Sequence, residues 1–535
     1  MPPNLALARA SRPTTRLRES LLAVFQGAER VFDAAFGSAL SPLRHLGATA
    51  FMMLALLVAS GVYLYAVLDT SALLAYPSIE RLAHEQRYFS GVLRSLHRYA
   101  ADAFVIVLLL HLLREGLYGR YRAFRRFSWL TGVPLLGFAF VSASCGLWLN
   151  WDQLGQYSAL ATAEWLDWWP FFASPLTRNF LNAAAVSDRL FSLFVFVHLG
   201  VPLLMLFGLW FHVQRISRAA LFPPRRLFWG TLAALLLLAF VQPVLSHAPA
   251  DLARVPGALA YDWLLLFIHP LTEASSAGFT WGLVTASFAL LFALPYLPKR
   301  APVVPVAVVD PDNCNGCQRC FDDCPYAAVT MLPHPNRRIA RQMAVVDAEL
   351  CASCGICVGA CPSSTPFRSG ATLRSGIDMP GSPIDALRHS LRQSLRQSLA
   401  GLRSERRIVV FGRDCGARVD SLAAPDVAAF SLMCTGMLPP SFVEYALRDG
   451  ADAVLVSGCA PGGCEFRLGQ RWAAQRLAGE REPQLRASVP RERLGLVWAG
   501  AGDEAGLRAA LDALRRGIDV SRAPAPRANE GVARG

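Results

Sequence analysis

"RSLHRYAADAFVIVLLLHLLRE", residues 94–115, sets two histidines, His97 and His111, in a run otherwise suited to lipid. Fourteen positions separate them. On an α-helix that is about four turns, a rise of roughly 21 Å that returns the side chains to within about 40° of one face. Both imidazoles therefore point at one neighbour, at two depths. The spacing recurs in "HLGVPLLMLFGLWFH", where His198 and His212 are again fourteen apart. Two such helices packed in parallel would present His97 to His198 and His111 to His212, and paired imidazoles are a common axial ligand set for low-spin haem iron.

The surrounding composition is that of a membrane protein over its first half. The chain has 535 residues, 53% of them hydrophobic, but the apolar character stops near residue 298. Six stretches of twenty or more mostly apolar residues predict spans at about 43–68, 90–113, 128–149, 190–214, 226–246 and 277–298. Cations crowd alternate loops: Arg9, Arg12, Arg16 and Arg18; then Arg120, Arg122, Arg125 and Arg126; then Arg215, Arg218, Arg225 and Arg226. The positive-inside rule makes those sides cytoplasmic, and an even number of spans puts both termini there, in a bacterial inner membrane. The opposite loops carry Asp152, Glu164, Asp167, Asp251, Asp262 and Glu273. The net charge of +13 is thus largely topological, and no motif argues for nucleic acid. The Arg-rich start lacks the pattern of a cleavable signal peptide. Twelve of the thirteen cysteines follow residue 313, on the reducing side, where clustered cysteines point to metal rather than disulfides. Cys145, in the third span, reads as a small buried apolar residue.

Glycines repeat the histidine period. Gly47 and Gly61 in the first span, and Gly132 and Gly146 in the third, are each fourteen apart, which would let two stacked macrocycles approach the backbone. With "LRSLHRYAADAFVIVLLLHLLREGLYGR", "HLGVPLLMLFGLWFH" and "GLWLNWDQLGQYSA", residues 15–298 resemble cytochrome b of the bc and bf complexes, including a surface amphipathic stretch before the first span. The resemblance implies that His97 and His198 hold the haem nearer the periplasm and His111 and His212 the one nearer the cytoplasm, and that the protein could form a homodimer. Arg94, Arg98 and Arg114 flank the ligands and could neutralise haem propionates, costly charges in a membrane; Arg114 could equally snorkel. The resemblance also implies a quinol site on the periplasmic side. Its candidates are Trp151, Asp152 and Gln153 after the third span, with Asp262 and Trp263 in "AYDWLLLF" matching the acid and Trp of the family's Pro-Glu-Trp-Tyr element. Tyr261 and Leu264 replace its proline and tyrosine. A carboxylate beside a quinol oxygen can take its proton. No Rieske-type Cys/His pattern is present in the chain.

The second half opens with "CNGCQRCFDDCP" and "CASCGICVGACP", starting at Cys314 and Cys351. Each is C-x-x-C-x-x-C-x-x-x-C-P, in which three cysteines grip one 4Fe-4S cluster and the fourth crosses to the other. Cys314, Cys317, Cys320 and Cys361 would hold one cluster, and Cys351, Cys354, Cys357 and Cys324 the second, resembling a bacterial two-cluster ferredoxin. Next, Leu387, Leu391, Leu395 and Leu399 recur every fourth residue among Arg and Ser, an amphipathic basic helix for a neighbouring domain or a membrane surface, with His389 facing solvent. From residue 406, strands "RIVVFG", "AVLVSG" and "LGLVWAG" alternate with helices, predicting a mostly parallel sheet. "MCTGMLPPSFVEYALRDGADAVLVSGCAPGGCEF" resembles the iron-sulfur delta subunit of methyl-viologen-reducing hydrogenase over 406–518. That family carries a 2Fe-2S cluster and docks on a flavoprotein of the heterodisulfide reductase type. Cys415, Cys434, Cys459 and Cys464 would be the ligands, although the family's first segment usually has more cysteines than "FGRDCG"; zinc or buried thiols are the alternatives.

The predicted fold is an α-helical membrane bundle of six transmembrane helices with a four-helix di-haem core, a cytoplasmic α+β ferredoxin-like domain and a small α/β domain. Its expected divisions are an amphipathic segment over 1–42, the di-haem domain over 43–298, a linker over 299–309 and the two-cluster domain over 310–368. A linker with the basic helix spans 369–405, the delta-subunit-like domain 406–518 and a disordered tail 519–535. The whole reads as a quinone oxidoreductase subunit that passes electrons between the quinone pool and a cytoplasmic flavoprotein, of the heterodisulfide reductase type or using a pyridine nucleotide. The alternatives are an anchor and conduit without its own quinone site, and a redox-sensing iron-sulfur interaction module.

Overall fold

The computed structural model describes residues 16–522 apart from 172–174, 181–185, 255–258, 298–304, 363–372, 402–405, 414–415 and 501. Cys415, Arg9, Arg12, part of each expected linker and the tail beyond 522 lie outside the described residues. Two compact units divide at Lys299 and Arg300.

The first unit is helical: α1 (Arg16–Phe36), α2 (Leu46–Val67), α3 (Ala75–His84), α4 (Val92–Leu117), α5 (Arg126–Trp148), α6 (Gln153–Asp167), α7 (Asp188–Gln214), α8 (Arg225–Val241), α9 (Ile268–Ala274) and α10 (Ala277–Ala293). Among the described residues, four helices are long and apolar enough to cross a bilayer: α2, α5, α7 and Ala277–Tyr296. At 22 residues, α2 is about 33 Å long, the thickness of a hydrocarbon core. The other two expected spans also fold as helices; α4 carries Arg94, Arg98 and Asp102 in its first half. In α8 the helix stops at Val241 after 17 residues, because Pro243 has no N–H to donate and drives Gln242 out of helical conformation; the stretch expected to continue to 246 does not. Among the helices, α2 packs on α4, α5 on α7, and α4 on α8. Helix α1 is tied to the end of α4 by Arg18, whose Nε and Nη2 donate to the Leu117 carbonyl at 3.0 and 2.8 Å, a cation at the negative end of a helix. The outer faces of α7 and α8 remain apolar and exposed, as at Leu203, Phe207, Trp210 and Leu237, which is what lipid requires.

The second unit begins with β1 (Val308–Val309), α11 (Arg319–Asp323), β2 (Val329–Pro333), β3 (Gln342–Val346), α12 (Ile356–Ala360) and β4 (Ile377–Asp378). Strands β1 and β4, and β2 and β3, pair antiparallel. There follow α13 (Ile384–Gly401), β5 (Ile408–Gly412), β6 (Val427–Ser431), α14 (Ser441–Arg448), β7 (Ala453–Gly458), α15 (Gly469–Ala478), β8 (Leu494–Trp498) and α16 (Glu504–Arg522). The sheet order is β6-β5-β7-β8, and every pairing is parallel. Strands β5 and β7 are buried along their whole length, as parallel strands covered on both faces must be. Val409, Phe411, Val454 and Val456 face one core with Leu391 and Phe442; Ile408, Val410, Ala453 and Leu455 face the other with Leu507 and Leu511.

The basic helix α13 packs into the α/β core. Leu391 and Leu395 are buried, Arg388 pairs with Asp449 and lies 4.2 Å over the Tyr445 ring, and His389 is exposed. Leu391→Ala is expected to destabilise this unit by about 2–5 kcal/mol, seen as cleavage at lower temperature in thermal proteolysis of the full chain. The exposed neighbour variant Gln393→Ala should leave the profile unchanged.

Candidate functional site

His97 on α4 and His198 on α7 face each other with ring centroids 6.2 Å apart and planes at 66°. Hydrogen bonding fixes which ring nitrogen carries the proton. The Ser60 hydroxyl spends its hydrogen on the Leu56 carbonyl at 2.6 Å, so at 2.9 Å it can only accept from His97 Nδ1. The Ser142 carbonyl accepts from His198 Nδ1 at 2.9 Å. On His212, Nδ1 meets the Thr131 hydroxyl at 3.3 Å, whose hydrogen goes to the Phe127 carbonyl. In each ring Nε2 keeps its lone pair, the state a metal needs.

The four periodic glycines lie against the imidazoles. A Cβ on Gly61 would come 3.2 Å from His97 Cε1, on Gly146 2.7 Å from His198 Cε1, on Gly132 2.9 Å from His212 Cε1 and on Gly47 3.4 Å from His111 Cε1. Among protein atoms, the nearest neighbour of each is thus an imidazole edge. Beside His97 and His198 opens a cavity of about 150 Å³, lined by Gly61, Gly146, Arg94 and Arg98 among others.

The three arginines differ sharply. Arg94 is buried and donates from Nη2 to Ser246 Oγ at 2.7 Å, while its Nη1 has no partner among the described residues. Arg98 is paired with Asp102 and Asp262. Arg114 donates from Nε to buried Glu29 at 2.9 Å.

Of the expected loop residues, Asp152 is buried and caps α6, accepting from Gly155 N at 2.8 Å and from His247 N at 3.0 Å. Trp151 packs edge-on to Phe191. Asp262 accepts from the amides of Leu264 and Leu265 at 3.1 and 2.8 Å besides binding Arg98, and Trp263 is 70% exposed. Asp152 therefore anchors the 247–249 segment and Asp262 the start of its own turn. A polar group that the sequence reading passed over lies between α6 and α9. Tyr157 donates to Glu273 and packs against both Tyr261 and His269. His269, held down to about 4 by burial, meets the Thr162 hydroxyl at 3.3 Å. A lone histidine without a fourteen-residue partner gives no signal of this.

In the second unit the eight cysteines of the two runs divide between two pockets. Cys314, Cys317, Cys320 and Cys361 line one; Cys324, Cys351, Cys354 and Cys357 line the other. The local sequence dictates this shape. Left-handed residues bend each loop, Gly316 and Gln318 in the first run and Ser353 and Gly355 in the second. A single helical turn then presents Cys320 or Cys357, and the fourth cysteine leaves it in extended conformation before a proline. Burial and neighbouring thiols push Cys320 up to about 12, and burial does the same to Cys354; a metal must displace those protons.

A third group stands at the carboxyl ends of the parallel strands. The chain leaves β5 for β6 on one side and then β7 on the other, so these ends flank a switch point, where open α/β sheets form a crevice. Cys434 follows β6 and Cys459 follows β7. Hydrogen bonds from Cys434 and Cys459 hold the Cys464 thiol well below its usual range, and the same bond pushes Cys434 well above. Cys415, expected here, lies outside the described residues.

Comparison with known families agrees with this division. Residues 31–220 match the model of cytochrome b/b6/petB, residues 310–365 that of the 4Fe-4S dicluster domain, and residues 416–519 that of the methyl-viologen-reducing hydrogenase delta subunit. Among solved structures the chain matches one titled "Hyperthermophilic respiratory Complex III" at 18% identity and a TM-score of 0.40, over 52% of this chain and 83% of that one. The class is that of multi-pass membrane electron-transfer proteins binding b haem and iron-sulfur clusters. Within it, this chain joins a cytochrome b/b6 domain to a 4Fe-4S dicluster domain and a hydrogenase delta-subunit-like domain.

Gly146→Val is expected to drive the His198 ring from its place and lower the b-haem absorbance per chain. Gly200→Ala on the same helix as His198, with nothing within 4 Å of its Cβ, should leave the spectrum intact.

Proposed function

We propose that the chain is the membrane subunit of a quinone oxidoreductase, exchanging electrons between the quinone pool and a cytoplasmic flavoprotein. In this reading His97 with His198, and His111 with His212, hold two b haems. The two four-cysteine pockets hold 4Fe-4S clusters, and Cys434, Cys459 and Cys464 with Cys415 hold a 2Fe-2S cluster. Bound, these groups supply single-electron carriers; quinone and flavin each handle pairs. Six spans, with both termini and the iron-sulfur domains on the cytoplasmic side, complete the arrangement.

The observation that carries the reading is the exchange of fourth cysteines between the two runs. Cys361 stands with the first three of its partner run and Cys324 with the second, the ligand pattern of a two-cluster electron carrier. The haem reading is supported by Arg94. Its unpartnered Nη1 beside the cavity fits a propionate, whereas Arg98 and Arg114 already have carboxylate partners. The chain's residues thus orient neutral imidazoles, leave Arg94 Nη1 without a partner among the described residues and keep side chains off the ring edges with glycine.

Quinone reduction is the favoured direction. Electrons moving outward across an inside-negative membrane gain about 2.3 kcal/mol per charge per 100 mV, and clusters near the roughly −400 mV of plant-type ferredoxins would drive that flow. A second reading, a conduit without its own quinone site, draws support from Asp262, whose carboxylate is engaged by Arg98 and two backbone amides. Asp262→Asn separates the two: it should slow quinol-linked haem reduction if Asp262 handles the quinol proton and leave it unchanged if the chain is only a conduit.

The test of the whole is anaerobic purification of the tagged protein with its bound partners, with spectra recorded after adding quinol or NAD(P)H. A co-purifying flavoprotein through which NAD(P)H reduces the haems is the expected result. Haems and clusters that never equilibrate would overturn it and favour a sensing role for the soluble half.

A further inference from the structure

Within the second unit, the Cys324/Cys351/Cys354/Cys357 pocket and the Cys434/Cys459/Cys464 group share a wall. The peptide from Cys354 to Gly359 lies on the loop from Cys434 to Met437. A Cβ on Gly355 would stand 2.8 Å from Met437 Cγ, and one on Gly436 would stand 3.1 Å from Ile356 Cγ1. A Cβ on Gly359 would strike the Gly436 carbonyl, and one on Gly469 would strike Cys434 Sγ while lying 3.3 Å from Ile356 Cδ1 and 3.6 Å from Cys464 Sγ. The fully buried Ile356 side chain is thus wedged against the segment carrying the third group. The second pocket and the Cys434/Cys459/Cys464 group therefore lie on the two sides of one wall.

One side chain fastens this wall. Arg476 on α15 is 0% exposed. Its Nη2 meets Asp323 Oδ2 at 2.5 Å and its Nη1 donates to the Gly436 carbonyl at 2.8 Å. Asp323 immediately precedes Cys324, and Gly436 lies two residues past Cys434. The same segment holds Cys324 from both sides. Trp472 Nε1 donates to the Asp323 carbonyl at 3.3 Å, Arg481 pairs with Asp323 and Arg467 donates to the Pro325 carbonyl at 3.0 Å. A buried guanidinium costs several kcal/mol to desolvate, and one carboxylate seldom repays that in full. Replacing the pair with apolar residues is often no less stable, so the cation's effect on neighbouring charge is the property a methionine could not supply.

We propose that Arg476 is a positioning residue for electron exchange between the two iron-sulfur domains, and that this exchange runs between the second four-cysteine pocket and the Cys434/Cys459/Cys464 group, across the Asp323–Arg476–Gly436 seam. The inference rests on the reading that both sets hold iron-sulfur centres. The step moves one electron: one centre is oxidised, the other reduced, no bond is made or broken and no proton is transferred. The buried cation favours the reduced, more negative state of whichever centre is nearer, and its two bonds fix the separation.

The test uses the full chain in detergent, stepwise reduced and followed by EPR and Mössbauer spectroscopy. In the wild type, the centre at Cys434, Cys459 and Cys464 should show spin–spin broadening with one 4Fe-4S centre. Arg476→Met should lower the midpoint potential of at least one of that pair and lose the broadening, and Arg476→Lys should recover the potential by restoring the charge. Arg406→Ala removes a partly exposed pair with Asp519 just before β5, away from the cysteines at the carboxyl ends of the strands, and should change neither. If Arg476→Met loses its iron, the Lys variant and the wild-type broadening still decide. Centres present in both sets but magnetically independent in the wild type, or potentials indifferent to the charge at 476, would overturn the seam alone. Absence of any iron-sulfur centre at the third group would overturn the functional reading beneath it.

Discussion

The closeness of glycine backbone to imidazole edge governs the membrane unit. At Gly132 and Gly146 a Cβ would lie under 3.0 Å from a ring carbon, so α5 and α7 can pack as they do only because those positions have no side chain. The same clearance operates between α2 and α4 through Gly47 and Gly61. Once the ring edge is seated, its Nδ1 falls within reach of a hydroxyl or carbonyl on the glycine-bearing helix: Ser60, Thr131 and the Ser142 carbonyl each lie one to four residues from a periodic glycine. Helix spacing, ring orientation and tautomer are therefore consequences of one contact.

The charges carried by α4 are tolerable for the same kind of reason. Arg98 has two carboxylates and Arg114 has Glu29, so neither stands as an isolated ion. Arg94 Nη1 is buried with no partner among the described residues. In the second unit glycine does comparable work at Gly359 and Gly469, where backbone meets backbone or sulfur with no room for a methyl group, and the Asp323–Arg476 pair closes the seam that this proximity creates.

Much of this was legible in residue spacing. A fourteen-residue recurrence is a statement about helix faces, and the two cysteine runs carry their loop geometry within twelve residues each. What spacing cannot reveal is who meets whom across the chain. The three flanking arginines look alike in sequence and differ only through partners such as Glu29 and Asp262, remote from them along the chain. The Tyr157–Glu273 bond joins residues 116 apart, and Arg476 finds Asp323 at a separation of 153. Strand β6, "VAAFS", was invisible for a different reason: its small residues give little hydrophobic contrast, and pairing with β5 makes it a strand. The span expected to reach 246 was read through Pro243, where backbone chemistry rather than hydropathy decides.

The exchange of Cys324 and Cys361 between pockets also bears on how the chain is made. During synthesis the first run emerges with three of the four sulfurs of its own pocket, and the fourth arrives only with residue 361. The second pocket must wait for its own run although Cys324 is already present. Neither run can complete a pocket alone, so each four-cysteine set exists only once the whole domain has arrived. A ribosome stalled between the two runs would leave exposed thiols and no finished centre.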